Sequence, residues 1–179
     1  MAEPGAVPRR SIACVTALLI VGAAAVTARA ALGQALSPAN VTVEDFPAVN
    51  LDGTAKTTSA AMADFSVTDS AGAGWNVTVS ATRFAEVDGA GQYVSGGKAL
   101  PVGSLAMLAP AFAPSSGLVV VAAGPYLIDG ATVKIVSAAP GSSGTFNFSQ
   151  GGPLTLSLPA SAYARAYRSD VTVAVASGP

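Results

Sequence analysis

The sequence predicts an all-β fold: an antiparallel β-sandwich of the Ig-like or Greek-key type that follows an N-terminal signal helix. Three observations support this prediction. After residue 40, apolar residues alternate repeatedly with small polar ones, Gly- and Pro-rich turns separate these runs, and no helical periodicity is found. Alternation with one polar face is typical of antiparallel sheets, whose outer face meets water. A chain of 179 residues is long enough for one domain or two small ones.

The first element is a predicted secretory signal. A positive start, Arg9-Arg10, precedes an uncharged and mostly apolar run over 12–28. An A-x-A pattern follows, so cleavage is expected after Ala30, with Ala35 as the second choice. An uncleaved membrane anchor is the alternative, although the apolar run is slightly shorter than most membrane-spanning helices.

The chain is therefore divided into a signal peptide (1–30), a short linker (31–40) and one β-sandwich domain (41–179). Strands in the domain are predicted at 41–43, 65–69, 75–80, 118–122, 131–137, 145–148, 154–158 and 171–176. Most of them direct apolar side chains to one face only, as a half-buried strand does. The continuous apolar run 118–122 instead predicts a strand that is buried on both faces. About eight or nine strands are expected in all.

Turn-forming residues separate these strands. Asp-Gly pairs predict turns that begin at Asp52, Asp88 and Asp129. The Gly-rich stretch 71–74 is expected to join strands 65–69 and 75–80 as a hairpin loop. The stretch 89–114 shows no periodicity and predicts a long irregular excursion.

The composition argues against several classes of function. Lys and Arg number 9 against 10 Asp and Glu, so no nucleic-acid partner is expected. The chain has no histidine, which is the commonest general base and metal ligand. Its one cysteine, Cys14, cannot form an internal disulfide or a Cys-rich zinc site. We therefore expect no catalysis, no cofactor and no metal.

Two parts of the domain resemble a known family. The segment DFSVTD (64–69), followed after a Gly-rich loop by GWNVTV (74–79), resembles the proximal motif of the WxL domain, in the form found in actinobacterial surface proteins. The stretches 153–159 and 171–175, with Tyr167 between them, are similar to that family's closing strands. The resemblance covers residues 40–179. It implies a β-sandwich on the cell surface that attaches non-covalently to peptidoglycan.

The resemblance assigns a wall- or ligand-binding motif to Trp75, Asn76 and Val77. The family's Trp-x-Leu has valine in third place here, and Val173-Ala174-Val175 stands where a second Trp-x-Leu normally closes the domain. An indole ring offers a flat face for a sugar and an N–H donor. The alternative is a core tryptophan, because Trp75 is in phase with the apolar side chains that follow it in the strand. This alternative is favoured by the alternation.

Three further groups of residues are candidate sites. Glu86 and Asp88 form a carboxylate pair such as a glycosidase requires, but their place beside a turn gives an ordinary explanation. Calcium binding would use these two with Asp64 and Asp69, although no known calcium-binding spacing is present. A sugar- or polymer-binding edge would use Tyr163, Arg165, Tyr167 and Arg168; an exposed loop with Tyr167 against the core is favoured.

The predicted signal indicates a secreted, extracellular protein, and the resemblance implies a non-catalytic bacterial surface protein that associates non-covalently with the peptidoglycan of the cell wall. The alternative is a structural or assembly module that binds another cell-surface protein through a strand edge or an apolar patch. Membrane contact is expected only through the signal segment, if that segment is not cleaved.

Overall fold

A computed structural model describes residues 41–112, 118–149 and 152–178. The predicted signal, linker and cleavage site at Ala30 lie outside the described residues. Within the described ranges, every regular element is a strand, and all strand pairs are antiparallel. This part of the chain has no helix that is long and apolar enough to cross a membrane. The all-β, antiparallel prediction is therefore confirmed.

The described residues contain thirteen strands, more than the eight or nine expected. They are β1 (Lys56–Ala60), β2 (Phe65–Asp69), β3 (Trp75–Ala81), β4 (Ala85–Val87), β5 (Leu105–Met107), β6 (Ala111–Phe112), β7 (Val119–Val121), β8 (Tyr126–Leu127), β9 (Val133–Ala138), β10 (Gly144–Ser149), β11 (Leu154–Leu158), β12 (Ala166–Arg168) and β13 (Val171–Ser177). Seven of the eight predicted runs form strands. The remaining run, 41–43, contributes only a single bridge, from Val43 to Met62.

The strands form four antiparallel groups in the described residues. Their orders are β1-β11-β5-β8, β2-β10-β6, β13-β3-β9-β7 and the two-stranded ribbon β4-β12. β3 and β9 are the inner strands of the third sheet, and β3 pairs with β13 on one side and β9 on the other. Val175 lies directly opposite Val77 in this sheet. Of the stretches that carry the WxL resemblance, 74–79 and 171–175 are thus neighbouring strands, whereas 64–69 and 153–159 form β2 and β11 in other sheets.

The buried core is one cluster to which all four groups of strands contribute, and part of it lies where the β3 sheet packs against the β10 sheet. Alternate residues of β2 and β3 are buried, as their sequence pattern predicts. The Trp75 ring of β3 packs against two phenylalanines of β10, with ring centroids 5.2 Å from Phe146 and 6.0 Å from Phe148. Phe65 of β2 stacks on Phe148 at 5.0 Å. Such contacts add to the free energy that burial of the rings contributes.

The expected hairpin at 71–74 is wrong, because β2 and β3 belong to different sheets. The Asp69 carboxylate accepts hydrogen bonds from the backbone N–H groups of Ala71 and Gly72, both at 2.9 Å, and so turns the chain between sheets. Gly74 then has φ +83°, and a Cβ atom there would lie 2.8 Å from the Ala138 carbonyl oxygen. A Gly-rich loop of this length can connect strands of two different sheets as readily as it can close a hairpin.

Two further expectations are wrong: that strand 118–122 is buried on both faces, and that the stretch 89–114 is irregular throughout. The apolar run 118–122 forms β7, but only one face of β7 is covered: Val119 is buried, whereas Val120 points to the outer face and is 60% exposed. The stretch 89–114 is not wholly irregular, because it supplies β5 and β6. Position 129 is more than a turn residue: the buried Asp129 carboxylate accepts hydrogen bonds from the backbone of Gly103, Ser104 and Leu105. These three bonds tie the start of β5 to the segment that follows β8.

Candidate functional site

Trp75 is a core residue in this structure. Its side chain has 0% exposure, and its Nε1 has no hydrogen-bond partner in the described part of the chain. The favoured core interpretation is therefore what the structure shows. A ring without exposed area has no face on which a sugar can stack.

The neighbours of Trp75 also serve the sheet. Asn76 lies half-buried on the outer face of β3, where its Nδ2 donates a hydrogen bond of 2.8 Å to the carbonyl of Gly178, just beyond the end of β13. Val77 is fully buried opposite Val175. Within the Trp75-Asn76-Val77 motif, Asn76 thus helps to hold the end of β13 against β3, and Trp75 and Val77 fill the core.

The carboxylates considered for catalysis or calcium binding have structural partners. Glu86 accepts a hydrogen bond from the Lys98 backbone at 2.9 Å and pairs with the Arg165 guanidinium at 3.1 Å. Asp88 accepts two backbone hydrogen bonds in its own turn, from Ala90 and Gln92. These bonds hold the loop that follows β4.

The four acidic residues weighed for calcium are not brought together. Asp69 belongs to β2, whereas Glu86 belongs to β4 in a different sheet. Among the described residues, no three Cys, His, Asp or Glu side chains are grouped as metal ligands.

The ribbon β4-β12 and the loop before β12 carry the predicted tyrosine and arginine residues. Tyr167 lies opposite Glu86, is 3% exposed, and donates its hydroxyl proton to the carbonyl oxygen of Tyr163 at 3.2 Å. Tyr163 itself is 54% exposed. The placement of Tyr167 against the core, with an exposed loop before it, is confirmed.

A second exposed tyrosine, Tyr93, joins the same ribbon and was missed by the sequence analysis. It bridges to Val87 of β4 and is 46% exposed. Its hydroxyl donates a hydrogen bond of 2.7 Å to Asp170, and the Arg168 guanidinium lies 5.6 Å from its ring centroid. Burial, and then the hydrogen bond to the Asp170 carboxylate, raise the pKa of Tyr93. The two partners are far apart in the chain, so no local pattern connects them.

Cations gather around these tyrosines. The Lys98 ammonium lies 5.0 Å from the ring centroid of Tyr163. These residues form two groups on the ribbon, Tyr93 with Arg168 and Tyr163 with Lys98 and Arg165; the two groups together are called the tyrosine–cation surface below. With Arg83 beside β4, this region holds four of the six Lys and Arg residues in the described ranges; Lys56 and Lys134 lie on other sheets.

A second exposed feature is a cleft of about 400 Å³ on the β2-β10-β6 sheet, with both polar and apolar lining residues. Asp64, Ser66, Asn147 and Ser149 line it, above the buried rings of Phe65 and Phe148. Thr68 and Thr145 continue this polar face, with their hydroxyl oxygens 3.1 Å apart. The cleft offers hydrogen-bonding groups, but its aromatic rings point into the core.

No protein-family model matches the sequence, and neither a curated protein nor a solved structure shows significant similarity to it. What the exposed side chains bind therefore has to follow from their chemistry and placement.

Proposed function

We propose that this is a secreted, non-catalytic bacterial surface protein that associates non-covalently with peptidoglycan, and that the tyrosine–cation surface makes the contact. One observation carries the proposal: Tyr93 and Tyr163 are both about half exposed, and each has a cation close to its ring. Exposed rings beside fixed cations are unusual in a domain whose remaining described aromatic rings are buried or half-buried.

The chemistry of this surface suits a glycan that carries carboxylates. A tyrosine ring offers apolar area to the C–H faces of a sugar and orders only two torsions when it binds. Lys98 and Arg165 add donors for the carboxylates of the peptide stems, and charge-assisted bonds of this kind are the stronger ones. Glu86 and Asp170 already hold Arg165 and Arg168 in place, which lowers the entropy lost on binding.

The fold we propose is an Ig-like, Greek-key sandwich of the WxL kind. It is supported by the packing of Trp75 against Phe146 and Phe148 from another sheet, and by the adjacency of β3 and β13. In this proposal, Trp75 and Val77 are the interior of the wall-binding domain, and the ligand contacts come from the ribbon.

The test is co-sedimentation of purified protein, starting after the predicted cleavage site, with isolated peptidoglycan. We expect saturable binding that Tyr163→Ala and Tyr93→Ala each weaken about tenfold, as residues that dominate an interface do. Leu127→Ala is the matched control, because Leu127 is 57% exposed on a different sheet. Equal binding by all variants would show that the tyrosine–cation surface does not make the contact. No binding by the wild type would contradict wall association itself.

A second candidate function is a structural or assembly module that binds another cell-surface protein. Exposed apolar side chains favour it: Val102 is 58% exposed and Leu127 is 57% exposed, and both lie close to the β5–β8 edge. In that case Leu127→Ala would reduce capture of the partner, and the tyrosine variants would leave that capture unchanged.

A further inference from the structure

The cleft on the β2-β10-β6 sheet gathers polar side chains from two neighbouring strands. Ser66 of β2 lies directly opposite Asn147 of β10, and Ser149 lies two residues farther along β10. Residues that are opposite each other, or two apart on one strand, share a face of the sheet. This face is the outer one, because the intervening Phe148 is buried. Asp64, just before β2, also lines the cleft.

Three aromatic rings on the inner face hold the strands below the cleft. The Phe148 ring of β10 stacks on Phe65 of β2, with centroids 5.0 Å apart, and on Phe112 of β6, at 4.9 Å. Each strand of the sheet therefore contributes one ring to a single stack, which fixes the strands relative to one another. The serine and asparagine side chains above are short and lose little rotamer entropy when they are ordered. A site that is formed in advance binds its ligand at a lower entropic cost.

The polar groups of the cleft keep their hydrogen-bonding capacity. Farther along the same face, the hydroxyl oxygens of Thr68 and Thr145 lie 3.1 Å apart and bond to each other. The side chains of Ser66, Asn147 and Ser149, in contrast, form no hydrogen bond with another described residue. An asparagine amide offers two N–H donors and a carbonyl acceptor, and a serine hydroxyl both donates and accepts. The cleft thus presents donors and acceptors side by side.

The charge of the cleft favours an uncharged ligand. None of the Lys and Arg residues in the described ranges lines it, and Asp64 adds a negative charge. An anion would therefore find no cation and would be repelled by Asp64. A cation would find one solvent-exposed carboxylate, and exposed ion pairs contribute little. The hydroxyl groups of a sugar both donate and accept, and one that donates to Asp64 forms a charge-assisted bond.

We propose that this cleft binds an uncharged saccharide residue, with Asn147 as the central contact. Asn147 lies opposite Ser66 and two residues from Ser149, so one sugar ring can reach all three. The methyl group of Ala111 and the other apolar lining atoms meet the C–H groups of the ring. A volume of about 400 Å³ falls within the range of small-ligand sites. The inference does not depend on peptidoglycan binding, which is proposed for the β4-β12 ribbon.

The test is a titration of the isotope-labelled protein with uncharged trisaccharides, followed by amide NMR. The probes are triacetylchitotriose, maltotriose and mannotriose. Because no exposed ring is present to stack on the sugar, we expect a dissociation constant in the millimolar range for at least one of them. The side-chain amide of Asn147 and the backbone amides of Ser66 and Ser149 should shift and saturate. If none of the three probes shifts these signals, the proposal is overturned.

Charged sugars test the argument from charge. Glucuronate carries a carboxylate and glucosamine carries an ammonium group, whereas glucose has the same ring without either charge. We expect glucuronate to bind more weakly than glucose and glucosamine to bind no more tightly, because the cleft has no cation and one exposed carboxylate. Clearly tighter binding of either charged sugar would overturn the assignment to an uncharged ligand.

Two variants locate the contact. Asn147→Ala should raise the dissociation constant about tenfold, since it removes donors and an acceptor at the centre of the cleft. Asn50→Ala is the matched control, because Asn50 is exposed but belongs to no strand. Ala111→Leu should also weaken binding: Ala111 lies opposite Ser149, and the larger side chain narrows the cleft without removing a polar group. If Asn147→Ala fails to fold, Ala111→Leu decides. Binding as tight as that of the wild type in both variants would overturn the proposal.

Discussion

The molecule contains two aromatic groups that are built in opposite ways. The first surrounds Trp75 in the core, where the rings of Phe146 and Phe148 pack against it and the indole N–H has no partner in the described residues. The second surrounds the β4-β12 ribbon, where the hydroxyls of Tyr93 and Tyr167 each donate a hydrogen bond. Aromatic residues in regular alternation are thus interior here, and those available to a ligand lie in irregular segments.

The largest expected effect is on the free energy of unfolding, which should differ between a variant of the core aromatic group and a variant of the ribbon aromatic group. Trp75→Ala should lower the free energy of unfolding by about 3–5 kcal/mol, because the ring is fully buried and leaves a cavity. Tyr163→Ala should change it by less than about 0.5 kcal/mol, since that ring is half exposed. Urea unfolding followed by circular dichroism measures both. Similar losses in the two variants would mean that the tyrosine is as structural as the tryptophan.

Two carboxylates extend the comparison from rings to hydrogen bonds. Asp129 is 4% exposed and accepts three backbone bonds, whereas Asp88 is exposed and accepts two. Asp129→Ala should cost about 3 kcal/mol, because the N–H groups lose their charged partner where water is excluded. Asp88→Ala should cost less than about 1 kcal/mol, because water replaces the carboxylate. Chemical unfolding of both variants gives the ranking, and an equal cost would refute a role for burial.

The sequence was sufficient where a strand is long enough to show its period. β2, β3, β11 and β13 alternate over five to seven residues, and each was predicted close to its observed bounds. Strands β4, β5, β6, β8 and β12 have two or three residues, which is too short for a period to appear. Their existence depends on contacts distant in the chain, such as the bonds from Asp129 that fix the start of β5.

The same limit applies to the candidate site. The burial of Trp75 followed from its phase in β3, and the position of Tyr167 against the core was also anticipated. Tyr93 was not, because its hydrogen-bond partner Asp170 is 77 residues away. A composition or motif cannot reveal such a contact, which arises only when the ribbon and the start of β13 are folded together.

A smaller effect is expected within the ribbon. Tyr167→Phe keeps the buried ring and removes its hydrogen bond to the Tyr163 carbonyl, so it should cost about 1 kcal/mol. It should also weaken peptidoglycan binding if that bond positions Tyr163. Thermal unfolding and co-sedimentation measure the two effects. The control is Tyr126→Phe, which also removes a hydroxyl bonded to a backbone carbonyl, of Ala122, but on a different sheet. Equal peptidoglycan binding by both variants would show that the Tyr167 hydroxyl does not position Tyr163 for binding.

The smallest effect is the response to alkaline pH. Burial raises the pKa of Tyr93, with a further contribution from the hydrogen bond to Asp170, and burial also raises the pKa of Tyr167. A raised pKa means that the folded state favours the neutral phenol. The stability it contributes is fully present below the unfolded value of about 10 and declines as pH rises towards the folded value. Unfolding midpoints of the wild type should therefore fall above about pH 10.

Tyr93→Phe should make this decline shallower, because the folded state then loses one phenol whose ionisation it opposes. Asp170→Asn should act in the same direction by a different route, since it removes the negative charge beside the Tyr93 hydroxyl and lets the Tyr93 pKa fall towards its ordinary value. Trp75→Phe is the control, because it alters the core and no titrating group. The unfolding midpoints of Trp75→Phe and Tyr93→Phe are compared over the same pH range. If both midpoints fell equally with pH, the hydrogen-bonded Tyr93 hydroxyl would make no contribution to the stability of the fold.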